Sequence, residues 1–194
     1  MSSVDDIVDS SGVLLASRAR KRGISKYALY RFIDTEGYER VAHGVYVSPD
    51  AWGDDVYILS LRCPQGVISH DEALYLHGLL DREPMEKTIT VYSGYGTGRL
   101  THDGVCVFTV KKNLLEVGKE YHVTSQGHTI PLYNLERTVC DLIRSKRHFE
   151  IQDFQTALRT YLGNPKKNMN RLIEYARLFR IESTVRSYME VMLP

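Results

Sequence analysis

The chain has 194 residues, of which 43% are hydrophobic and 25% charged, and its formal net charge is +1. This composition is typical of a globular protein of one or two small domains, and it argues against a disordered chain. No apolar run approaches the length of a transmembrane helix, and the acidic N-terminal residues differ from a signal peptide, so we expect a cytoplasmic protein.

The three cysteines, Cys63, Cys106 and Cys140, lie far apart in the sequence. None has the Cys-x-x-Cys or Cys/His spacing of a metal site, so the sequence predicts buried free thiols and no bound metal. No motif of a nucleotide-binding loop, a zinc protease or a serine hydrolase is present, and we expect no cofactor and no catalytic residue.

Positive charge is concentrated in one stretch near the N-terminus. The residues RARKRGISKYALYRFI, from Arg18 to Ile33, contain six Lys or Arg side chains and no acid. A local basic patch in an almost neutral chain indicates an anionic partner more specifically than the total charge does.

Two short helices are predicted before this stretch turns. The segment VDDIVDSS predicts an opening helix with its apolar side chains on one face. A second helix is expected over residues 16–22, where the small side chain of Ala19 permits close packing. Its start departs from the usual pattern, because Leu15 and Ala16 stand where a polar N-cap is expected.

A third helix is predicted after Gly23, which supplies the positive φ of a tight turn. Ser25 is a good N-cap for a helix over residues 26–35. The helical periodicity separates an apolar face from a basic and aromatic face. The apolar face holds Ala28, Leu29, Phe32 and Ile33, and the opposite face holds Tyr27, Tyr30, Arg31 and Asp34.

A β-hairpin is predicted next. The segment YERVAHGVYVSPD has β-forming residues on both sides of His43-Gly44 and ends at Pro49-Asp50. The order of helices, turn, helix and hairpin predicts a winged helix-turn-helix domain over residues 1–50.

This domain type assigns the basic stretch to duplex DNA. The helix over residues 26–35 would enter the major groove, and the hairpin would touch the neighbouring backbone or minor groove. We expect base-edge contacts from Tyr27, Tyr30 and Arg31. Phosphate contacts are expected from the cationic side chains that precede this helix, Arg18, Arg20, Lys21 and Arg22. The alternative is a basic face that is only solvated. The predicted DNA-binding residues are Arg18, Arg20, Lys21, Arg22, Ser25, Lys26, Tyr27, Tyr30, Arg31, Arg40 and His43.

The rest of the chain predicts a mixed α/β domain over residues 51–194, which makes the protein α+β. Strands and helices alternate to about residue 133, and a helical bundle follows. Ser69 and Glu72 have the spacing of a capping box at the start of one helix. The predicted elements are a helix over 54–63, a strand and helix in GVISHDEALYLHGLL, strands in KTITVYSG and VCVFTV, a hairpin around Gln126-Gly127, and helices over 134–144, 152–162, 169–179 and 182–193.

Two other features of this part could form binding sites, one for a metal and one for a phosphate. His70 and His77 lie seven residues apart on one helix face, but no third ligand is evident, which favours structural histidines. The loop GYGTGRL resembles a phosphate-binding loop only if a helix begins after it. The sequence THDGVCVFTV predicts turn and strand there, so we expect a mobile connection without a bound nucleotide.

Five segments together resemble the AbiEi family of bacterial antitoxins: RGISKYALYRFIDTEGYERVAHGVYVSPD, ISHDEALYLHGLLDR, VFTVKKNLLEVG, YNLERTVCDLIRSK and RSYMEVML. The resemblance extends over essentially the whole chain. It implies a type IV toxin–antitoxin, or phage abortive-infection, protein whose winged helix-turn-helix binds inverted repeats in its own promoter and represses the operon. It also implies a C-terminal domain that neutralises a nucleotidyltransferase toxin, without requiring a stable complex. By motif, the DNA-reading positions are Ser25–Arg31, with wing contacts at Arg40 and His43.

Two other functions remain open from the sequence. A nuclease joined to a winged N-terminal domain needs an acid two positions before a lysine on an adjacent strand. No lysine here has one, so an enzyme is not expected. The second alternative is an interaction module whose C-terminal helices bind the toxin directly, with an incidental basic patch.

Overall fold

The computed structural model describes residues 7–51 and 53–192. They form a mixed α+β protein, the predicted class, with helices and two β-sheets. Residue contacts divide the chain into two compact units, the first comprising the chain up to Pro64 with Val123–Ile130, and the second Gln65–His122 with the chain from Pro131. The predicted boundary after residue 50 therefore differs from the observed division. No helix within residues 7–51 and 53–192 combines the length and apolar character needed to cross a bilayer.

The first unit contains a three-stranded antiparallel sheet and three helices. In chain order its elements are β1 (Val13–Leu15), α1 (Ala16–Lys21), α2 (Lys26–Thr35), β2 (Glu39–Ala42), β3 (Val45–Val47) and α3 (Asp55–Arg62). The sheet order is β1-β3-β2, so the predicted hairpin of β2 and β3 is present and gains a third strand.

Strand β1 was not predicted, and it explains the missing helix cap. Leu15 is the last residue of β1, where it pairs with Val45, and it is also the N-cap residue of α1. The first backbone N–H of α1, on Ala16, donates to the carbonyl of Gly44 at 2.8 Å. The hairpin therefore supplies the acceptor that a polar side chain usually supplies.

The predicted opening helix lies partly outside the described residues. Of its described part, Val8 forms an isolated antiparallel bridge with Leu14. Ile7 is buried in the core of the first unit. At this point the chain is therefore drawn to the sheet, and the prediction of a continuing helix is wrong for Val8.

One face of α2 is buried, as its periodicity predicts. Leu29 and Ile33 pack with Leu14, Ala19 and Tyr46 in the core of the first unit. Two residues of the predicted apolar face differ from the prediction: Phe32 is only half-buried, and Ala28 is exposed. The buried stripe is narrower than predicted because Ala28 lies at the edge of the apolar face, about 100° around the helix from Leu29.

A buried polar cluster joins the segment Val123–Ile130 to α3 within the first unit. Asp54 caps α3 by accepting from the backbone N–H of Tyr57 at 3.1 Å. Its second oxygen accepts from the hydroxyl of Thr124 and lies 2.9 Å from Nδ1 of His128. The His128 ring stacks on Tyr57 with 4.0 Å between centroids. A buried carboxylate costs less when several donors reach it, as they do here.

The second unit is built on a five-stranded mixed sheet and ends in helices. The strand order is β6-β5-β4-β8-β7, with β5–β6 and β4–β8 parallel and β4–β5 antiparallel. These elements, in chain order, are β4 (Val67–Ile68), α4 (His70–Leu76), β5 (Thr88–Tyr92), α5 (Gly98–His102), β6 (Cys106–Val110), β7 (Lys119–Val123), β8 (Thr129–Tyr133), α6 (Leu135–Arg144), α7 (Ile151–Gly163), α8 (Met169–Leu178) and α9 (Glu182–Met192). The four C-terminal helices agree with the predicted ones to within two residues at their ends.

The predicted capping box at the start of α4 is wrong. Ser69 is the N-cap residue, but its side chain makes no capping hydrogen bond. The hydroxyl of Thr88, in β5, accepts from the backbone N–H of Glu72 at 2.9 Å and donates to the carbonyl of Ser69. Ser69 instead accepts from the hydroxyl of Thr90 at 2.8 Å. The helix is thus capped by a neighbouring strand, a tertiary contact that local spacing does not reveal.

A second correction concerns the glycine-rich loop. Residues predicted as turn form the short helix α5, Gly98–His102. The loop is therefore followed by a helix, although one of only five residues. Its N-cap residue, Thr97, makes no side-chain capping bond.

The two histidines of α4 have separate structural contacts. His70 is buried and stacks on Phe108, with Nε2 3.1 Å from the hydroxyl of Ser145. Burial lowers the pKa of His70 to about 4, so its ring is neutral at neutral pH. His77 donates from Nε2 to the carbonyl of Tyr133 at 2.7 Å. In the described ranges, no group of three or more metal-ligating side chains comes together.

A fully buried arginine organises the helical core of the second unit. The guanidinium carbon of Arg137 lies 3.9 Å from the ring centroid of Tyr133 and 4.2 Å from that of Phe179. Its Nε lies 2.9 Å from a carboxylate oxygen of Asp141, and Nη1 donates to two backbone carbonyls at 2.9 and 2.7 Å. The aromatic rings and acceptors together replace part of the water that this cation loses, while Nη2 has no hydrogen-bond partner among the described residues.

Gly118 leaves the space that Arg137 occupies, and we predict that Gly118→Ala destabilises the protein by about 3 kcal/mol. Gly118 has φ +76°, and an added Cβ would lie 2.5 Å from Cβ of Arg137. Gly104 is a matched control, because its φ is +77° and nothing lies within 4 Å of an added Cβ.

Gly104→Ala therefore suffers the backbone strain alone, about 1–2 kcal/mol. Urea unfolding of both variants measures the difference. Equal losses in the two variants would contradict the proposed steric role of Arg137.

Candidate nucleic-acid interface

The turn between α1 and α2 brings predicted basic residues to an exposed surface, where Arg20 and Lys26 line one pocket with Tyr30. Gly23 has φ +72° there, as predicted, and the N–H of Ile24 donates to the carbonyl of Ala19 at 3.0 Å. This tight connection places the end of α1 next to the start of α2. The surface contains the exposed side chains of Arg20, Lys21, Arg22, Lys26, Tyr27, Tyr30 and Arg31, and we call it the basic surface.

Helix α2 presents its tyrosines outward. Tyr27 is 77% exposed and Tyr30 is 41% exposed, whereas Leu29 is buried. Arg31 is exposed as well. Exposed aromatic side chains beside cations suit a polyanion that also offers apolar and hydrogen-bonding edges.

No carboxylate of a described residue neutralises the cations of the basic surface. Within residues 7–51 and 53–192, no carboxylate is ion-paired with Arg20, Lys21, Arg22, Lys26 or Arg31. Arg20 and Lys21 also lie in the last turn of α1, where cations interact favourably with the helix dipole. This gives them a local structural role as well, but it leaves their charge directed to solvent.

Tyr30 is held in place by two neighbours. The hydroxyl of Tyr46, in β3, donates to the hydroxyl of Tyr30 at 3.4 Å, and the two rings meet edge to face at 6.3 Å. The ammonium group of Lys26 lies 5.8 Å from the Tyr30 centroid. The hydrogen bond to Tyr30 is the main cause that raises the pKa of Tyr46. The sequence interpretation missed Tyr46, because Val45–Val47 is apolar throughout and does not indicate which side chain meets α2.

Arg18 differs from the other predicted residues. Its guanidinium lies 3.8 Å from a carboxylate oxygen of Asp9. Asp9 in turn accepts from the backbone N–H groups of Ser11 and Val13 at 3.1 and 2.8 Å, and it lies 3.7 Å from His128. Arg18 is thus partly neutralised by a fixed acid that the sequence interpretation did not connect with it. A phosphate would have to compete with Asp9 for this side chain.

The two hairpin residues are exposed, but they interact with each other. Arg40 donates from Nε to the carbonyl of Ala42 at 3.3 Å, and its Nη2 lies 3.3 Å from Nδ1 of His43. Both side chains therefore fold back on the hairpin. They are available to a ligand at the cost of these exposed, weak contacts.

Ser25 has a structural role. Its hydroxyl accepts from the backbone N–H of Ala28 at 3.1 Å, which caps α2 as predicted. The same hydroxyl oxygen is then engaged inside the protein, so Ser25 orients α2 rather than offering a free group.

Comparisons with known proteins identify the fold alone. No known family profile matches the chain, and no curated protein matches it. Its structure is similar to the crystal structure of the RV2827C protein from Mycobacterium tuberculosis, with a TM-score of 0.63 and 14% sequence identity. The similarity covers 90% of this chain and 69% of that one. At this identity the similarity shows that the two chains share an α+β fold.

We predict that Ser25→Ala lowers the free energy of unfolding by about 1 kcal/mol, because the N–H of Ala28 loses its acceptor. Ser25→Asp is the control, since an aspartate also accepts at an N-cap. Urea unfolding followed by circular dichroism measures both variants. A loss for Ser25→Asp equal to that for Ser25→Ala would contradict the capping role.

Proposed function

We propose that the first unit is a winged helix-turn-helix that binds duplex DNA through the basic surface. Helix α2 lies in the major groove in this proposal, and the hairpin of β2 and β3 is the wing. The observation that carries the proposal is the one-sided burial of α2, which leaves Tyr27, Tyr30 and Arg31 exposed beside cations that form no ion pair with a described carboxylate. This arrangement suits a ligand with both phosphates and base edges.

The exposed residues have different proposed roles. Tyr27, Tyr30 and Arg31 contact base edges, because they project from α2. Arg20, Lys21, Arg22 and Lys26 contact phosphates. Arg18, Arg40 and His43 contribute less in the free protein's conformation, because each already has a partner within the first unit.

We further propose that the DNA-binding protein is an antitoxin that represses its own operon. This step rests on the resemblance to the AbiEi family of type IV toxin–antitoxin and abortive-infection proteins. In this proposal the protein acts in the cytoplasm, binds inverted repeats in its promoter, and neutralises a nucleotidyltransferase toxin through its C-terminal domain. Direct toxin binding is not required, and the protein itself catalyses no reaction.

Fluorescence anisotropy with the DNA upstream of the gene tests the DNA-binding proposal. We expect the affinity to fall steeply with salt, because bound phosphates release counterions. Arg31→Ala should reduce discrimination between upstream and random DNA by about 1–3 kcal/mol. Lys21→Ala should weaken binding to both duplexes alike and reduce the salt slope by about 1.

The controls separate the two roles. Lys166→Ala removes an exposed lysine of the second unit and should leave both affinities unchanged. If the wild-type protein shows no preference for the upstream repeats over random DNA at physiological salt, autorepression is lost as an explanation. If it binds no DNA at low salt, the winged-helix function is lost as well.

A further inference from the structure

A groove lies between α7 and α9 of the second unit, with a volume of about 400 Å³. Its floor contains the aromatic rings of Phe154 and Tyr188 and the buried side chain of Leu158. The size and composition are those of a binding groove rather than a packing defect. Only residues of the second unit line it, so the inference below does not rest on the proposed DNA binding.

The walls of the groove contain exposed apolar side chains. Ile151, at the start of α7, is 56% exposed, and Val191, near the end of α9, is 84% exposed. On α7 the lining residues recur at Ile151, Gln155 and Leu158, which share one helix face. The groove is therefore bordered by two helix faces, the geometry into which a third helix packs.

The charges at the groove have one sign. Lys146 and Arg159 line it, and none of its described lining residues is an acid. Neither cation forms an ion pair with a carboxylate within residues 7–51 and 53–192. The ammonium of Lys146 lies 5.2 Å from the ring centroid of Phe154 and 5.5 Å from that of Tyr188. The rings therefore hold this positive charge at the groove.

We propose that the groove between α7 and α9 binds an acidic amphipathic helix of a partner protein. The apolar face of that helix covers Ile151, Phe154 and Val191, and its flanking carboxylates meet Lys146 and Arg159. Binding of a helix along an apolar groove is a common mode of peptide recognition. Because the aromatic rings already restrain Lys146, less side-chain entropy is lost when a carboxylate binds it.

The charges also argue against a second copy of this chain as the occupant. In a twofold dimer formed through this groove, the same surface is present on both sides. Lys146 and Arg159 would then face the groove of the other copy, whose described lining residues include the same two cations and no acid. Like charges brought together at an interface oppose association.

The probe for this proposal is a fluorescein-labelled, helix-forming peptide of about 15 residues, with leucines on one face and glutamates on both flanks. A twin peptide has lysine at every glutamate position. Anisotropy titrations of the full chain should give a Kd of about 1–50 μM for the glutamate peptide. The lysine twin should bind at least about tenfold more weakly, because it meets like charges.

Two pairs of variants locate the binding. Arg159→Glu should weaken the glutamate peptide about fivefold and improve binding of the lysine twin. Lys166→Glu, an exposed charge reversal outside the groove, should change neither. Val191→Asp should weaken binding about tenfold, because it introduces a charge into the apolar contact. Leu178→Asp is its control on α8, at an exposed position away from the groove.

Each outcome decides the proposal. The predicted result is a preference for the glutamate peptide that Arg159→Glu reduces and Lys166→Glu does not. No saturable binding of the glutamate peptide, equal binding of the twin, or equal effects of the two charge reversals would overturn it. A dimer in light scattering that Val191→Asp dissociates would assign the groove to a second copy and would also overturn it.

Discussion

The packing of α2 against the three-stranded sheet of β1, β2 and β3 is the contact on which the first unit depends. Leu29 and Ile33 are buried against Leu14 and Tyr46, and this contact fixes which face of α2 meets solvent. The hydrogen bond from Ala16 to Gly44 joins α1 to the turn of the same hairpin. The sheet thus sets the positions of both helices. The basic surface follows from this packing, because the face of α2 that stays exposed is basic and aromatic.

Polar groups hold the less regular parts of both units. In the first unit, Asp54 and His128 join α3 to the segment Val123–Ile130. In the second, Arg137 is stacked between two aromatic rings and paired with Asp141. Such buried charges stabilise only while every partner is in place, so single substitutions at them are expected to be costly. The exposed cations of the basic surface form no ion pair with a described carboxylate and can bind an anion.

Local signals were sufficient for the elements that form the proposed interface. The positive φ of Gly23 and the capping by Ser25 both follow from residue type and position, and both are observed. The two faces of α2 follow from helical periodicity, except at Ala28, whose small side chain lies outside the core contact. These features were predictable because each depends on residues no more than four positions apart.

The features that escaped prediction depend on residues far apart in the chain. Strand β1 has three residues and exists because β3 is available to pair with it. The cap of α4 comes from Thr88, sixteen positions after Glu72. Arg18 reads as a free cation in sequence, and only the fold brings Asp9 to it. Periodicity and capping rules contain no information on such contacts.

Tyrosine nitration of the protein bound to its upstream DNA tests the central claim most directly. Tyr27 and Tyr121 are similarly exposed, at 77% and 72%, but only Tyr27 belongs to the basic surface. The account predicts that bound duplex protects Tyr27 from tetranitromethane while Tyr121 reacts as in the free protein, with both read by mass spectrometry. Unchanged nitration of Tyr27 in the DNA-bound protein would contradict the account.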